Sequence, residues 1–295
     1  MSIMITADQK KTTALSILDL KKKDLEGKKV LVRVDFNVPL KDGKVSDDTR
    51  IWASLPTLMY LVYKNAKIII VSHLGRPKGE RKQEFSLKPV IDRLKQITPF
   101  NIKSTDNVIG EDVTNAVNQL ENTEILVLEN IRFQKEEEQN EEAFSKQLAQ
   151  LADIYVNDAF GCAHRAHCST VGITQFLPSY MGCLLKKETE VLGNIFKAPD
   201  RPLVAIIGGS KISTKIEVLE NLLDKVDYLI IGGAMCFTLL EAQEIQVGKS
   251  LVEKDRVDTA KQFLNKIESS STQLIMPEDY IVADELKENV KTKVV

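Results

Sequence analysis

Asp35, Asn37, His73, Arg76, Arg132, His164 and Arg165 each follow closely on an apolar run of strand length, the runs being residues 30–34, 68–71, 125–128 and 154–156. Strand ends of this kind are where open α/β sheets place their ligands. Arg50 joins the group from the start of a helical stretch. Guanidinium groups hold carboxylate and phosphate oxygens through paired N–H donors and stay charged at any working pH. One arginine on a surface loop would mean only a weak ion pair. Four aimed at a common sheet edge describe a pocket for a small anion with several charges, such as a phosphorylated carboxylic acid.

A different device follows in the second half. Ile206-Ile207-Gly208-Gly209-Ser210-Lys211 runs from a strand into two glycines and a lysine, with a second lysine at Lys215. Bare glycine backbone admits phosphate closely, and a helix start with lysines supplies positive potential. The spacing suits a cradle for nucleotide phosphates. Ile230-Ile231-Gly232-Gly233 repeats the strand-to-diglycine pattern one unit later, where an adenine or ribose could lie against backbone. Taken alone, such turns also occur for geometry.

The elements that must position these residues alternate. Further apolar runs fall at 203–207, 228–231 and 274–276, and helical spacing appears at 51–63, 87–97, 144–151, 216–223 and 252–267. Alternation of this kind predicts parallel sheets covered on both faces. Asp47 or Asp48 is expected to cap the helix near Ile51, Ser213 or Thr214 the helix after 203–207, and Asp42-Gly43 marks a tight turn. The acidic run Glu136-Glu137-Glu138 reads as a solvated loop or first helical turn.

The chain has 295 residues, 43% of them hydrophobic, which suits two domains of roughly 150 residues. The expected fold is α/β, with two doubly wound, Rossmann-like parallel-sheet domains and a cleft between them. A charged helical stretch at 186–196 running into Ala198-Pro199-Asp200-Arg201-Pro202 marks the boundary. The division is therefore residues 1–185, a connecting helix and linker at 186–200, and 201–295.

Forty basic residues against 42 acidic ones, with a formal charge of -2, argue against nucleic acid or membrane surfaces as partners. No stretch reaches the ~18 apolar residues of a membrane span, and residues 1–11 lack a secretory apolar core. The expected location is cytoplasmic, with Cys162, Cys168, Cys183 and Cys236 as reduced thiols.

Two patterns are set aside. Gly248-Lys249-Ser250 imitates the end of a phosphate-binding loop, but Gln243 stands where that loop needs glycine. Cys162, His164, His167 and Cys168 lie within seven residues, whereas structural zinc sites draw ligand pairs from separated segments. No metal ligands are assigned.

Arg33-Val34-Asp35-Phe36-Asn37-Val38-Pro39, Ser72-His73-Leu74-Gly75-Arg76-Pro77, Leu128-Glu129-Asn130-Ile131-Arg132-Phe133, the stretch 157–167 beginning Asn157-Asp158-Ala159-Phe160-Gly161, Gly208-Gly209-Ser210-Lys211 and Ile231-Gly232-Gly233-Ala234-Met235 occur in that order across nearly the whole chain. Together they resemble the phosphoglycerate kinase family. The resemblance implies a monomeric, hinge-bending glycolytic kinase that moves a phosphoryl group between 1,3-bisphosphoglycerate and Mg-ADP, giving 3-phosphoglycerate and ATP. It implies that Asp35, Asn37, Arg50, His73, Arg76, Arg132, His164 and Arg165 hold the three-carbon acid. Arg50 and Lys211 would stabilise the transferring group, and Gly208, Gly209, Lys211, Lys215, Gly232 and Gly233 would hold the nucleotide. Magnesium would arrive on the nucleotide. Family members run on past the position of Val295, through a Gly-Gly-Gly-Asp segment serving the nucleotide phosphates and magnesium. The expectation is thus an incomplete second domain, and the alternative is an impaired form that only binds 3-phosphoglycerate or similar anionic metabolites.

Overall fold

Strand β1 (Lys29–Arg33) turns Val30 and Val32 towards one helical layer and Leu31 towards the other, and from Val30 onward every residue of it is buried. Burial on both faces is what a central parallel strand requires. The computed structural model describes residues 15–195, 197–285 and 287–295. The chain forms two compact units, dividing between Val191 and Leu192.

In the first unit β2 (Leu40–Lys41) and β3 (Lys44–Val45) form a hairpin whose turn has Asp42 and Gly43 both at positive φ, as the Asp-Gly signal predicts. Strands β4 (Lys67–Val71), β5 (Ile102–Ser104), β6 (Ile125–Val127), β7 (Ile154–Asn157) and β8 (Ser179–Met181) complete a six-stranded parallel sheet in the order β5-β6-β4-β1-β7-β8. After the short α1 (Lys22–Leu25), the amphipathic helices α2 (Thr49–Tyr63) and α3 (Lys88–Ile97) cover one face through Ile51, Leu58, Val90 and Leu94. Helices α4 (Glu111–Asn118) and α6 (Glu142–Ala149) cover the other through Val113, Val117, Phe144 and Leu148, with α5 (Lys135–Gln139) leading into α6. The strand order reverses between β1 and β7, and ligands collect at such switch points.

The chain leaves this unit along α7 (Cys183–Ile195). The second unit holds β9 (Val204–Gly208), β10 (Tyr228–Gly232) and β11 (Gln273–Ile275) in a parallel sheet ordered β11-β10-β9. Helices α8 (Ile216–Leu222), α9 (Met235–Ala242) and α10 (Val257–Glu268) pack on one face through Leu219, Leu239, Phe263 and their neighbours. Among the described residues the other face is open, with Val204 44% and Ile206 73% exposed, so the expectation of cover on both sides holds for the first sheet only. A hairpin of β12 (Ile281–Ala283) and β13 (Thr292–Val294) ends the described chain. Among the described residues no helix is long and apolar enough to cross a membrane.

Several local expectations are corrected. Of the two cap candidates for α2 it is Asp47 whose Oδ1 takes the first helical amide, that of Thr49, at 2.8 Å, while Asp48, the residue preceding the helix, accepts instead from Trp52 Nε1 and Arg93. Ser213 and Thr214 lie in a 3-10 turn before α8, whose preceding residue is Lys215; Ser213 Oγ is drawn to Glu253 at 2.6 Å. Helix α10 starts at Val257, a 3-10 turn occupying the residues just before it. Glu137 is fully buried, not solvated, because Ser169 donates to it from both its amide and its hydroxyl. Phe196, the expected end of the connecting helix, and residues 1–11 lie outside the described residues.

Candidate functional site

The C-terminal edge of the first sheet gathers the charges. Asp35 leaves β1 two residues after its end, and its Oδ2 meets Arg50 Nη1 from the first turn of α2 at 2.8 Å. Asn37 Oδ1 accepts the amide of Gly75 at 2.8 Å, and Arg132 Nη1 donates to the carbonyl of the same glycine at 2.9 Å. Gly75 has φ +63°, and a Cβ there would come within 2.4 Å of the Phe85 ring, so this bridge between two loops requires glycine. Gly161, following β7, closes over Asp35, where a Cβ would stand 3.0 Å from Oδ2.

Buried polar groups fix the loops. Glu129 Oε1 accepts the amides of Leu87 and Asn130, and its Oε2 accepts the Ser86 hydroxyl. Asn130 Nδ2 donates to the carbonyls of Leu74 and Phe85, while its Oδ1 accepts the Arg132 amide. The loops after β4 and β6 are therefore one hydrogen-bonded body. Glu129 and Asn130 fall within the Leu128–Phe133 motif, but nothing in the sequence alone marks them as bracing residues.

His73 lies at the centre and is 2% exposed. Burial, then the positive charges of Arg33, Arg132, Arg165 and Arg50, drive its pKa down to about 2, so the imidazole is neutral. Arg132 is itself 5% exposed and feels Arg165 and Arg33, its own pKa being lowered chiefly by burial. Its Nε faces Glu138 Oε1 at 3.2 Å, an ion pair lacking hydrogen-bond alignment. The cluster is a ready anion receptor in which a ligand oxygen can take Glu138's place. Arg76 and His164 sit exposed on the same loops, with no polar partner among the described residues, and Arg165 is half-buried.

Among the described residues one group of metal-capable side chains is gathered, Asp35, His73 and Cys162, whose donor atoms lie within 4.8 Å of one another. A buried thiol and an imidazole do not suit magnesium, which takes oxygen ligands. His164, His167 and Cys168 stand outside this group, and Cys168 Sγ donates to the backbone carbonyls of Glu136 and Glu141.

In the second unit the two diglycine turns pack on each other. Gly209 donates its amide to the Gly232 carbonyl at 3.4 Å and accepts the Met235 amide at 3.0 Å. Gly233 has φ +75°, and a Cβ on it would stand 2.6 Å from the Gly209 carbonyl oxygen. The glycines thus permit close approach of backbone to backbone, and Gly209's own polar groups are spent within the fold. Lys215 runs its stem beside Gly209, and Lys211 is exposed at the following turn.

The model of the phosphoglycerate kinase family matches residues 20–295. This chain belongs to the phosphoglycerate kinase family. It is 51% identical over 278 residues to the phosphoglycerate kinase of Finegoldia magna, covering 94% of this chain and 70% of that protein. The corresponding figures for the Dictyoglomus turgidum phosphoglycerate kinase are 49%, 95% and 70%. Among solved structures, the phosphoglycerate kinase of Coxiella burnetii matches with a TM-score of 0.80 at 41% identity, covering 96% of this chain and 70% of that one. That of Pyrococcus horikoshii OT3 matches with a TM-score of 0.81 at 28% identity, covering 95% of this chain and 70% of its own. As a phosphoglycerate kinase homologue the chain is a phosphotransferase of glycolysis.

Proposed function

We propose that the first unit binds 3-phosphoglycerate and its 1-phosphorylated form, and that the second binds ADP or ATP with its magnesium. The observation that carries this reading is the convergence of Arg33, Arg50, Arg132 and Arg165 on one neutral histidine at the switch point of the sheet. Asp35, Asn37, Arg50, His73, Arg76, Arg132, His164 and Arg165 hold the three-carbon acid, the arginines taking its carboxylate and phosphate oxygens. Asp35 holds Arg50 in place and accepts from a substrate hydroxyl. Gly208, Gly209, Lys211, Lys215, Gly232 and Gly233 form the nucleotide wall, the lysines facing phosphates and the glycines admitting the base and ribose.

Phosphoryl transfer asks little covalent chemistry of a protein. Alignment, charge neutralisation and exclusion of water supply most of the rate. Arg50 and Lys211 neutralise charge on the transferring group, and the acceptor carboxylate of 3-phosphoglycerate is itself the nucleophile. Magnesium comes with the nucleotide as part of the substrate. The reading includes hinge bending along α7, where the chain passes from one unit to the other, and a cytoplasmic monomer. Four free cysteines agree with a reducing compartment.

Calorimetric titration with 3-phosphoglycerate tests the pocket, and a coupled assay for ATP formation tests transfer. Heat of binding and turnover are expected. A folded protein that gives no heat with 3-phosphoglycerate would overturn the assignment of the first unit.

A further inference from the structure

We infer that Arg33 is a positioning residue that fixes His73 in its Nε2–H tautomer, so that the histidine serves the anion pocket as a neutral hydrogen-bond donor. The second half of this statement rests on the functional reading above; the first does not.

Three groups surround Nδ1 of His73. Arg33 Nη2 lies at 3.1 Å, Asp35 Oδ1 at 4.0 Å and Cys162 Sγ at 4.0 Å. A guanidinium carries only donors, so contact at 3.1 Å requires a lone pair on Nδ1 and leaves the ring proton on Nε2. Asp35 would favour the opposite tautomer or the imidazolium, but 4.0 Å is beyond hydrogen-bond reach. Its oxygens are engaged elsewhere, Oδ2 with Arg50 at 2.8 Å and Oδ1 with the Asn37 amide at 3.2 Å. The Cys162 thiol is a weak donor and a weak acceptor, and at 4.0 Å it does not compete with the guanidinium contact at 3.1 Å. Among the described residues Nε2 has no protein partner, which leaves its proton for a ligand.

Arg33 can impose this because its own position is set from behind. It is 1% exposed. Its Nε donates to Ser169 Oγ at 2.8 Å, and its Nη1 donates to the carbonyl of Val34. Ser169 in turn donates to Glu137, from Oγ at 2.6 Å and from its amide at 2.9 Å. The guanidinium is thereby anchored to α5 and to the segment after β7, outside the pocket. The groups facing His73 are Arg33 and Asp35 from β1 and its loop, Arg50 from α2, Arg132 from the loop after β6, and Cys162 and Arg165 from the segment after β7. Five of the six are donors or cations, so neither protonation nor tautomer exchange is favoured. His73 on this account is not a general acid or base and adds no charge. It contributes one directed N–H.

The test uses the whole, unmodified chain with 15N-labelled histidine. There are three histidines, and His73 is assigned by the signal lost in His73→Gln. The expected spectrum shows His73 Nδ1 as the unprotonated nitrogen and Nε2 as the protonated one, unchanged as pH falls through the ordinary imidazole value of 6.5. A protonated Nδ1, an averaged pair, or titration near that value would overturn the inference. In kinetics, Arg33→Lys should raise the KM for 3-phosphoglycerate by roughly ten- to a hundredfold with a smaller change in kcat, since a donor to an anion is misdirected rather than lost. His73→Gln, whose amide nitrogen can occupy the Nε2 position, should keep affinity within about tenfold while His73→Leu does not; equal losses in both would count against the donor role. If the unmodified protein fails to bind 3-phosphoglycerate, the functional reading falls while the tautomer result still decides the role of Arg33.

Discussion

Arg50 Nη1 lies 2.8 Å from Oδ2 of Asp35, and 53% of the arginine side chain remains open to solvent. The pair is therefore a partial tether, screened enough to be worth little in stability, with the remaining guanidinium N–H groups free for an incoming oxygen. Arg50→Ala should leave the melting temperature nearly unchanged and lower kcat on the order of a hundred- to a thousandfold, the usual effect of removing one transition-state donor. Arg50→Lys should recover only part of this, because the planar fork is gone. Steady-state kinetics beside thermal melts check both.

Arg132 is buried where Arg50 is exposed, and it supports the Gly75 carbonyl as well as facing the pocket. Arg132→Ala should weaken 3-phosphoglycerate binding by two orders of magnitude, roughly, while leaving nucleotide binding in place. Calorimetry with each ligand separately reads the difference; parallel loss of both would mean that the fold had failed.

Gly233 admits no side chain. Gly233→Ala adds a Cβ 2.6 Å from the Gly209 carbonyl oxygen at φ +75°. The expected cost is about 1–3 kcal/mol. Urea unfolding should show the second unit destabilised, and nucleotide affinity should fall while 3-phosphoglycerate binding persists.

Asp158 gives a pH signature. Its Oδ1 accepts the amides of Leu184 and Leu185 in the first turn of α7, and its Oδ2 has no partner. Burial raises its pKa from 3.8 to about 6, against the opposing pull of Thr57 and the two amides. A carboxyl whose folded pKa lies above its unfolded value binds the proton more tightly when folded. Its contribution to stability is therefore full below 3.8 and declines as pH rises through about 6. Asp158→Asn keeps an acceptor and removes the charge, so it should stabilise the protein at neutral pH by about 1–3 kcal/mol, with the difference vanishing in acid. Melting temperatures of the two proteins against pH check the crossover.

The central strands were legible because burial on both faces writes continuous apolar runs, as in β1 and β4. The edge strands of the first sheet write no such run. Ile102-Lys103-Ser104 carries one buried residue, and Ser179-Tyr180-Met181 none. Helix α4 leaves little periodic trace in the sequence for a related reason, since it buries only Val113 and Val117. At the site, residues that follow strands announce themselves by contrast with the apolar run, and Asp35, Arg50, His73, Arg132 and Arg165 do come together. Glu137 did not announce itself. Its burial depends on Ser169, 32 residues further on, and a charge run carries no trace of so distant a partner.

The cross-bracing of Glu129 and Asn130 has a thermodynamic consequence. Loops already locked to each other and to Ser86, Leu87 and Phe85 lose little conformational freedom when a ligand arrives. Ligands of equal charge are then ranked by where their oxygens fall, because a rigid receptor does not reshape itself around a poor fit. Compounds that match the charge of 3-phosphoglycerate but not its spacing should be refused by geometry, making the pocket a ruler as much as a magnet.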